Sequence, residues 1–454
     1  MINPQRIQLL NNNPVLGEHQ FVLYWMQASQ RVTENPALYF AIEQANQLKK
    51  PLVVFFGLTA DFPEATRRHY QFMLEGLLEI KNQLKQRGIR FVLGTQGPVA
   101  GVSQLLGQVA VLVTDCAYSR VERLWRKQVA QLAPCSVIQV EGNVVVPVGV
   151  ASQKEEYSAA TLRRKIEPMI SYFGQEVGEI DCVISSHDIE TGIEEASLDS
   201  IERLLDNLSL VQTPSALLKG GEHIAHDALD RFIDQHLCNY AKEHNNPANP
   251  AISQLSAYLH FGQISPVEIY NRIAPINLPD VPVFLEQLIV RRELACNYVL
   301  FNPNYDKYEG LPAWALKTLA GHAFDEREYL YSYTDLETAQ THDPYWNAAQ
   351  QELVGTGFMH GYMRMYWGKK ILEWSPSSKI AFETALHLNN TYQLDGRDPN
   401  GFAGVAWCFG KHDRPWANRA IFGNVRYMNA KGLERKFDIK EYVKRVESLI
   451  KSKS

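Results

Sequence analysis

An α/β domain with a Rossmann-like parallel sheet, followed by an all-helical domain, is the architecture this sequence predicts. Three observations predict it. Short apolar runs alternate with amphipathic ones as far as about residue 175. A polar, acid-rich stretch occupies 176–215, and from 216 onward the strand pattern is lost. Alternating strands and helices fold as a parallel sheet covered on both faces. A chain of 454 residues also exceeds what one domain usually holds.

The elements come in this order. "FVLYWM" (21–26) reads as the first strand, and "PLVVFFGL" (51–58), "IRFVLG" (89–94), "VAVLVTD" (109–115) and "CSVIQVEG" (135–142) as the next four. They are mostly apolar rather than alternating, as strands buried on both faces are. Helices are predicted over 36–49, 66–87 and 119–132. In the second, Tyr70, Met73, Leu74, Leu77 and Leu78 recur at helical spacing. No G-x-x-x-x-G-K-[ST] occurs, and "GTQGPVAG" (94–101) does not match G-x-G-x-x-G, so the α/β layout alone indicates no nucleotide site. Residues 1–175 form the first domain on this reading, 176–215 the interdomain linker and 216–454 the helical domain. In the last, "ISPVEIY" carries Ser265 as N-cap, Pro266 at the first helical position and Glu268 in a capping box. A helix is predicted over 282–300, and another over 346–374 with a break near "GTG" (355–357).

Bulk properties narrow the function classes. No run of 18 apolar residues exists, so no membrane span is expected. The polar N-terminus lacks a signal-peptide core, and a cytoplasmic protein is expected. Six cysteines are scattered with no C-x-x-C, which indicates neither a disulfide framework nor a zinc site; no bound metal is expected. A net charge of −5 requires that any nucleic-acid contact use a local basic patch, and Arg414, Arg419, Arg426, Lys431, Arg435 and Lys436 supply one.

Four features of the helical part carry chemistry. Arg291 falls on the same predicted face as Phe284, Leu288, Ala295 and Tyr298, with Gln287 one turn before it. An arginine there needs a partner or a ligand, or else snorkels from the helix edge. Ser253 and Ser256 flank Leu255 at a helix start, where free N–H groups suit a phosphate. "LNNTYQLDGRDPNGFAGVAW" (388–407) is polar and reads as a long irregular loop. Trp346, Trp367 and Trp374 gather three of the chain's eight tryptophans. Their spacing fits core packing, and it also fits a relay for single electrons.

Several longer segments then carry a resemblance. "TGFMHGYMRM" (356–365), "FLEQLIVRRELACNY" (284–298), "GKHDRPWANRAIFGNVRYMN" (410–429), "ASQKEEYSAATLRRKI" (151–166) and "DGRDPNG" (395–401) resemble the photolyase and cryptochrome superfamily, and within it the class II cyclobutane pyrimidine dimer photolyases. The resemblance runs from about 20 to 442. It implies a helical domain holding FAD, and a first domain able to hold an antenna chromophore, of which an 8-hydroxydeazaflavin is the first expectation. It implies repair of a dimer flipped out of UV-damaged duplex DNA by an electron from excited reduced FAD. Tyr240, Ser253, Leu255, Ser256, Arg291, Asp395 and Asp398 would hold FAD. Asn389 would face the flavin. Trp346, Trp367 and Trp374 would rereduce it. Gln287, Met365 and Trp407 would meet the dimer, with Arg414 filling the vacated duplex and Arg426 holding phosphate. Gln287 departs from the family's usual Glu, and Asn143, Gly149 and Arg164 depart from its usual residues in the first domain. A monomer is expected. The alternative is a cryptochrome-like photoreceptor with little or no repair activity.

Overall fold

The computed structural model describes residues 2–452. Six strands form one sheet: β1 (Ile7–Leu9), β2 (Phe21–Trp25), β3 (Leu52–Gly57), β4 (Arg90–Gly94), β5 (Val109–Asp115) and β6 (Ser136–Val140). Their order is β1-β6-β5-β2-β3-β4. Every pair is parallel except β1 with β6. The five predicted strands are all present. The edge strand β1 is new: three residues are too short to show a period, and its place is set by Arg6. That buried guanidinium donates to the carbonyls of Glu141, Val144, Val145 and Phe173.

Helices α1 (Pro36–Leu48) and α2 (Arg67–Gln86) cover one face of the sheet, and α3 (Pro98–Leu105) and α4 (Arg120–Leu132) cover the other. Helix α3 begins inside "GTQGPVAG", with Pro98 at its first position. A Cβ on Gly57 would lie 2.5 Å from the Pro98 Cα, so glycine at the end of β3 is what admits that helix. The segment 176–215 is no free tether. It buries Leu198, Leu205 and Leu210 against α1 and α2, and includes a helix, Ile201–Asn207.

Among the described residues every strand precedes residue 141, and the chain beyond it is helical. Three departures from the sequence reading matter. Ser265 caps its helix through the Val267 and Glu268 amides, but Glu268 turns away to His226, 3.0 Å distant, so the capping box is half-made. The predicted helix 282–300 is interrupted by a π turn, Glu286–Arg291, between Val281–Leu285 and Arg292–Phe301. The predicted 388–407 loop is mostly helix: Ser378–Tyr392 runs into it and Pro399–Cys408 closes it. The break near 355–357 is present, with Gly357 left-handed at φ +78° between Pro344–Thr356 and Gly361–Trp374.

Buried polar groups fasten the helical part to the sheet. Arg31 donates to Gly142 O and Gly262 O, and Glu222 accepts from the Val32 and Thr33 amides. Glu293 accepts from the Val145 amide at 2.6 Å and also from Val146. Burial raises the Glu293 carboxyl to about 8, against the opposing effects of these amides and of Arg292 and Arg6. A pKa raised on folding contributes stability below the unfolded value, near 4.3, that is lost as pH rises through the folded one. Unfolding stability is therefore expected to fall between pH 5 and pH 8, and Glu293→Gln to flatten part of that slope in urea titrations. An unchanged slope would remove Glu293 from the account.

Candidate active site

A cavity of about 530 Å3 opens in the helical part. Four segments build it, and each is placed by local chemistry. The first is Ile252–Ser256. Gln254 takes a positive φ, and the helix Ser256–Phe261 starts without a side-chain cap on Leu255. Its first N–H groups are therefore free for an acceptor.

The second segment contains the π turn. The extra residue in the turn brings Glu286 and Arg291, five apart, to one side, where they pair at 3.0 Å. Glu286 also holds Arg163. Arg291 thus stands half-exposed at the cavity mouth rather than inside an apolar stripe, with Gln287 beside it. Tyr298, placed on the same face by straight helical spacing, is instead buried, donating to Tyr305 O.

The third segment is the N-terminal turn of Gly361–Trp374. His360 caps it by accepting from the Tyr362 amide. Burial lowers His360 to about 4, so it stays neutral. Arg364 and Met365 face the cavity, and the buried Arg364 Nε has no protein partner. The fourth segment runs from Asp395 to Trp407. Asp398 caps its helix through the Asn400 amide and accepts from His260 Nδ1 at 3.2 Å. Burial pushes the Asp398 carboxyl up, but His260, Arg292 and the Asn400 amide outweigh it and hold it below its ordinary value. Asp395 lies 3.5 Å from Arg364.

Ten residues expected at the site share this one cavity: Tyr240, Ser253, Leu255, Ser256, Gln287, Arg291, Met365, Asp395, Asp398 and Trp407. Asn389 does not line it. It is buried one layer behind, donating to Asn390 Oδ1, while Asn400 lines the wall. Among the cavity residues the sequence reading missed are Arg292, Arg364 and Asn400. The resemblance segments contain all three, and only the fold shows which way they face. Arg414 and Arg426 lie outside the cavity on its rim segment. Arg426 is held by Asp413 at 3.0 Å and lies 4.2 Å from the Trp416 ring, while Arg414 stacks on Trp416 at 5.3 Å.

The three tryptophans are buried, and none of them lines the cavity. Trp346 is the middle one, 6.5 Å from Trp367 with rings within 6° of parallel, and 5.8 Å from Trp374. The Trp346 N–H donates to Trp367 O, and the Trp367 N–H to Gln350 Oε1. Trp374 ends the row against Tyr331 and His342, near the surface.

An α/β sheet joined to a helical part with this deep, arginine-lined cavity is the fold of the photolyases. A profile of the DNA photolyase family matches residues 22–174. The chain is 47% identical to a deoxyribodipyrimidine photo-lyase of Methanothermobacter thermautotrophicus, over 99% of this chain and 100% of that one. It is 39% identical to one from Potorous tridactylus, over 98% and 85% respectively. Among solved structures, a bacterial class III photolyase from Agrobacterium tumefaciens superposes with a TM-score of 0.73 at 20% identity, covering 94% of this chain and 86% of that chain. An archaeal photolyase from Sulfolobus tokodaii, solved with two FAD molecules, superposes with a TM-score of 0.70 at 16% identity, covering 94% of this chain and 90% of that one. The chain belongs to the DNA photolyase family. It is accordingly a flavoprotein lyase of DNA repair. No described helix is long and apolar enough to cross a membrane.

Proposed function

We propose that this protein is a class II photolyase that splits cyclobutane pyrimidine dimers in UV-damaged DNA. The single observation that carries the proposal is the cavity itself. It joins an anion-binding end, at Ser253, Ser256 and Arg364, to an apolar wall formed by Met365, Trp407 and Phe284. FAD fits that chemistry. The uncapped amides of Ser256–Phe261 and the unpartnered Arg364 Nε suit its diphosphate, and the Tyr240 and Leu288 surfaces suit its rings. When bound and reduced, FAD supplies on excitation by blue or near-UV light the electron that opens the cyclobutane ring. The residues do the rest. Met365 and Trp407 offer soft, flat surfaces to stacked pyrimidines. Gln287 at the mouth can both accept and donate to the dimer. Asp395 and Asp398 hold Arg364 and His260 in place. The segments 284–298 and 410–429 support class II, and the class III likeness, at 20% identity, is one of fold.

We extend the reading to a monomer acting in the cytoplasm, with 1–175 as antenna domain, 176–215 connecting and 216–454 catalytic. An aromatic cavity at the C-terminal ends of β2 and β3, lined by Trp25, Phe56, Phe62, Tyr70, Trp125 and His260, supports a flat antenna chromophore such as 8-hydroxydeazaflavin there. Asn143 is not part of it, since it is bonded to Ser29 and Arg31.

The test is repair. Protein loaded with chemically reduced FAD is mixed with a duplex carrying one thymine dimer, in blue light and in darkness. Light-dependent loss of the dimer is expected, and Gln287→Glu, which restores a proton donor, is expected to speed it roughly tenfold. No repair with flavin bound and reduced would instead favour the photoreceptor reading. Arg426→Ala is expected to weaken duplex binding and make the log–log salt slope shallower by about 1. An unchanged slope would place Arg426 away from phosphate.

A further inference from the structure

Trp407 is the indole of the cavity wall, and its electrostatic surroundings differ from those of the buried row. Two cations bear on its ring: Lys369 Nζ lies 4.9 Å from the centroid and the Arg426 guanidinium 5.2 Å. Arg426 has a counter-charge in Asp413. Lys369 forms no ion pair among the described residues, and Asp413, committed to Arg426, acts on it only at longer range. Lys369 is wholly buried, and donates only to Cys408 O, at 2.6 Å, the last carbonyl of the helix that carries Trp407. That acceptor favours the ammonium form, as a helix C-terminus does. The approach depends on Gly368, where a Cβ would lie 2.6 Å from Cys408 Sγ. Burial lowers Lys369 only to about 8, so it is cationic at neutral pH.

Trp346 and Trp367 have no cation over their rings among the described residues, and each N–H donates to an uncharged oxygen. Lys370, 5.5 Å from Trp374, is neutralised by Glu373 at 2.5 Å. A positive charge with no salt-bridge partner beside an indole destabilises the radical cation left when that indole loses an electron, and a dry site magnifies the effect. An acceptor at the indole N–H does the reverse.

We infer that Lys369 is a positioning residue that makes Trp407 a poor electron donor, so that photoreduction draws on the Trp367 row and not on the ring facing the substrate. The inference rests on the flavin reading above. The suppressed step is a single electron transfer. Trp407 would lose one electron and become a radical cation, and excited oxidised flavin would gain it. No proton moves. In the permitted route the electron leaves Trp367, is replaced from Trp346 and then from Trp374, and an external thiol, itself oxidised, restores Trp374. The next indole beyond Trp407 is Trp416, and the Arg426 guanidinium stands between them, 5.2 Å from one ring and 4.2 Å from the other.

Two readouts test this. In flavin-free protein, sulfate radical generated from persulfate oxidises exposed and wall tryptophans, and peptide mass spectrometry reads Trp407 against Trp25. Lys369→Met is expected to raise Trp407 oxidation about tenfold, while Lys369→Arg holds it low. In FAD-loaded protein with thiol, Trp367→Phe should scarcely photoreduce. Trp367→Phe with Lys369→Met should regain photoreduction, and adding Trp407→Phe should remove it again. Equal Trp407 oxidation in Lys369→Met and the parent, or regained photoreduction that survives Trp407→Phe, would overturn the inference. Should Lys369→Met not fold, Lys369→Gln removes the same charge while keeping a donor for Cys408 O, and no rise in Trp407 oxidation there would overturn it equally. Failure of the parent protein to photoreduce would instead sink the flavin reading, and leaves the flavin-free comparison standing as its own test.

Discussion

Replacing Trp367 with phenylalanine lowers flavin photoreduction by more than about tenfold, yet leaves repair by chemically reduced protein unchanged. The reason is geometric. Trp367 sits two residues after Met365, which lines the cavity, on the same helix. Trp346 stacks on it at 6.5 Å, and Trp374 is reached only through Trp346. Phenylalanine fills most of the same volume but is far harder to oxidise, so the row loses its first donor while the core keeps its packing. None of the three rings lines the cavity, so lesion binding has no reason to change. Illumination of oxidised, FAD-loaded protein with thiol measures the first half, and a repair assay after dithionite reduction the second. Loss of repair under chemical reduction would assign Trp367 a place in the repair chemistry itself. The row lies in tight core, so the urea midpoint should be compared in the same preparation.

Arg68→Met costs on the order of 3 kcal/mol or more of unfolding free energy, the largest stability effect expected of a single polar side chain here. Arg68 belongs to α2 of the sheet domain, but its guanidinium is buried in the helical part. It donates to Leu353 O, Val354 O and Tyr392 O, and to Pro214 O. Leu353 and Val354 lie in the last turn of Pro344–Thr356, and Tyr392 ends Ser378–Tyr392. One cation therefore satisfies carbonyls at two helix C-termini, where partial negative charge collects. Burial lowers its pKa to about 10, leaving it charged throughout the neutral range. Methionine fills the space and leaves those carbonyls short of a donor. Equilibrium urea unfolding measures the loss. A change below about 1 kcal/mol would mean that water replaces the guanidinium.

Much of the molecule was legible in the chain. Five apolar runs became five parallel strands because burial on both faces forces continuous apolarity. The break at Gly357 was legible because a left-handed residue between two helical patterns is best met by glycine. Ten of the expected site residues reached one cavity because the segments that carry them are long and distinctive. The edge strand β1 was invisible, since three residues have no period, and the half-made cap at Ser265 was misread because Glu268 found His226 from a distant helix.

Local periodicity and contiguous motifs were enough to specify the two-part architecture, the family and the residue types of the site. Orientation was settled in three dimensions. The π turn moved Arg291 to the mouth and put Tyr298 in the core, Asn389 fell behind the wall that Asn400 lines, and Lys369, unremarkable in "WGKKILEW", came to rest under Trp407. Which way a side chain faces depends on one extra residue in a helical turn and on contacts between segments far apart in the chain. A linear pattern records neither.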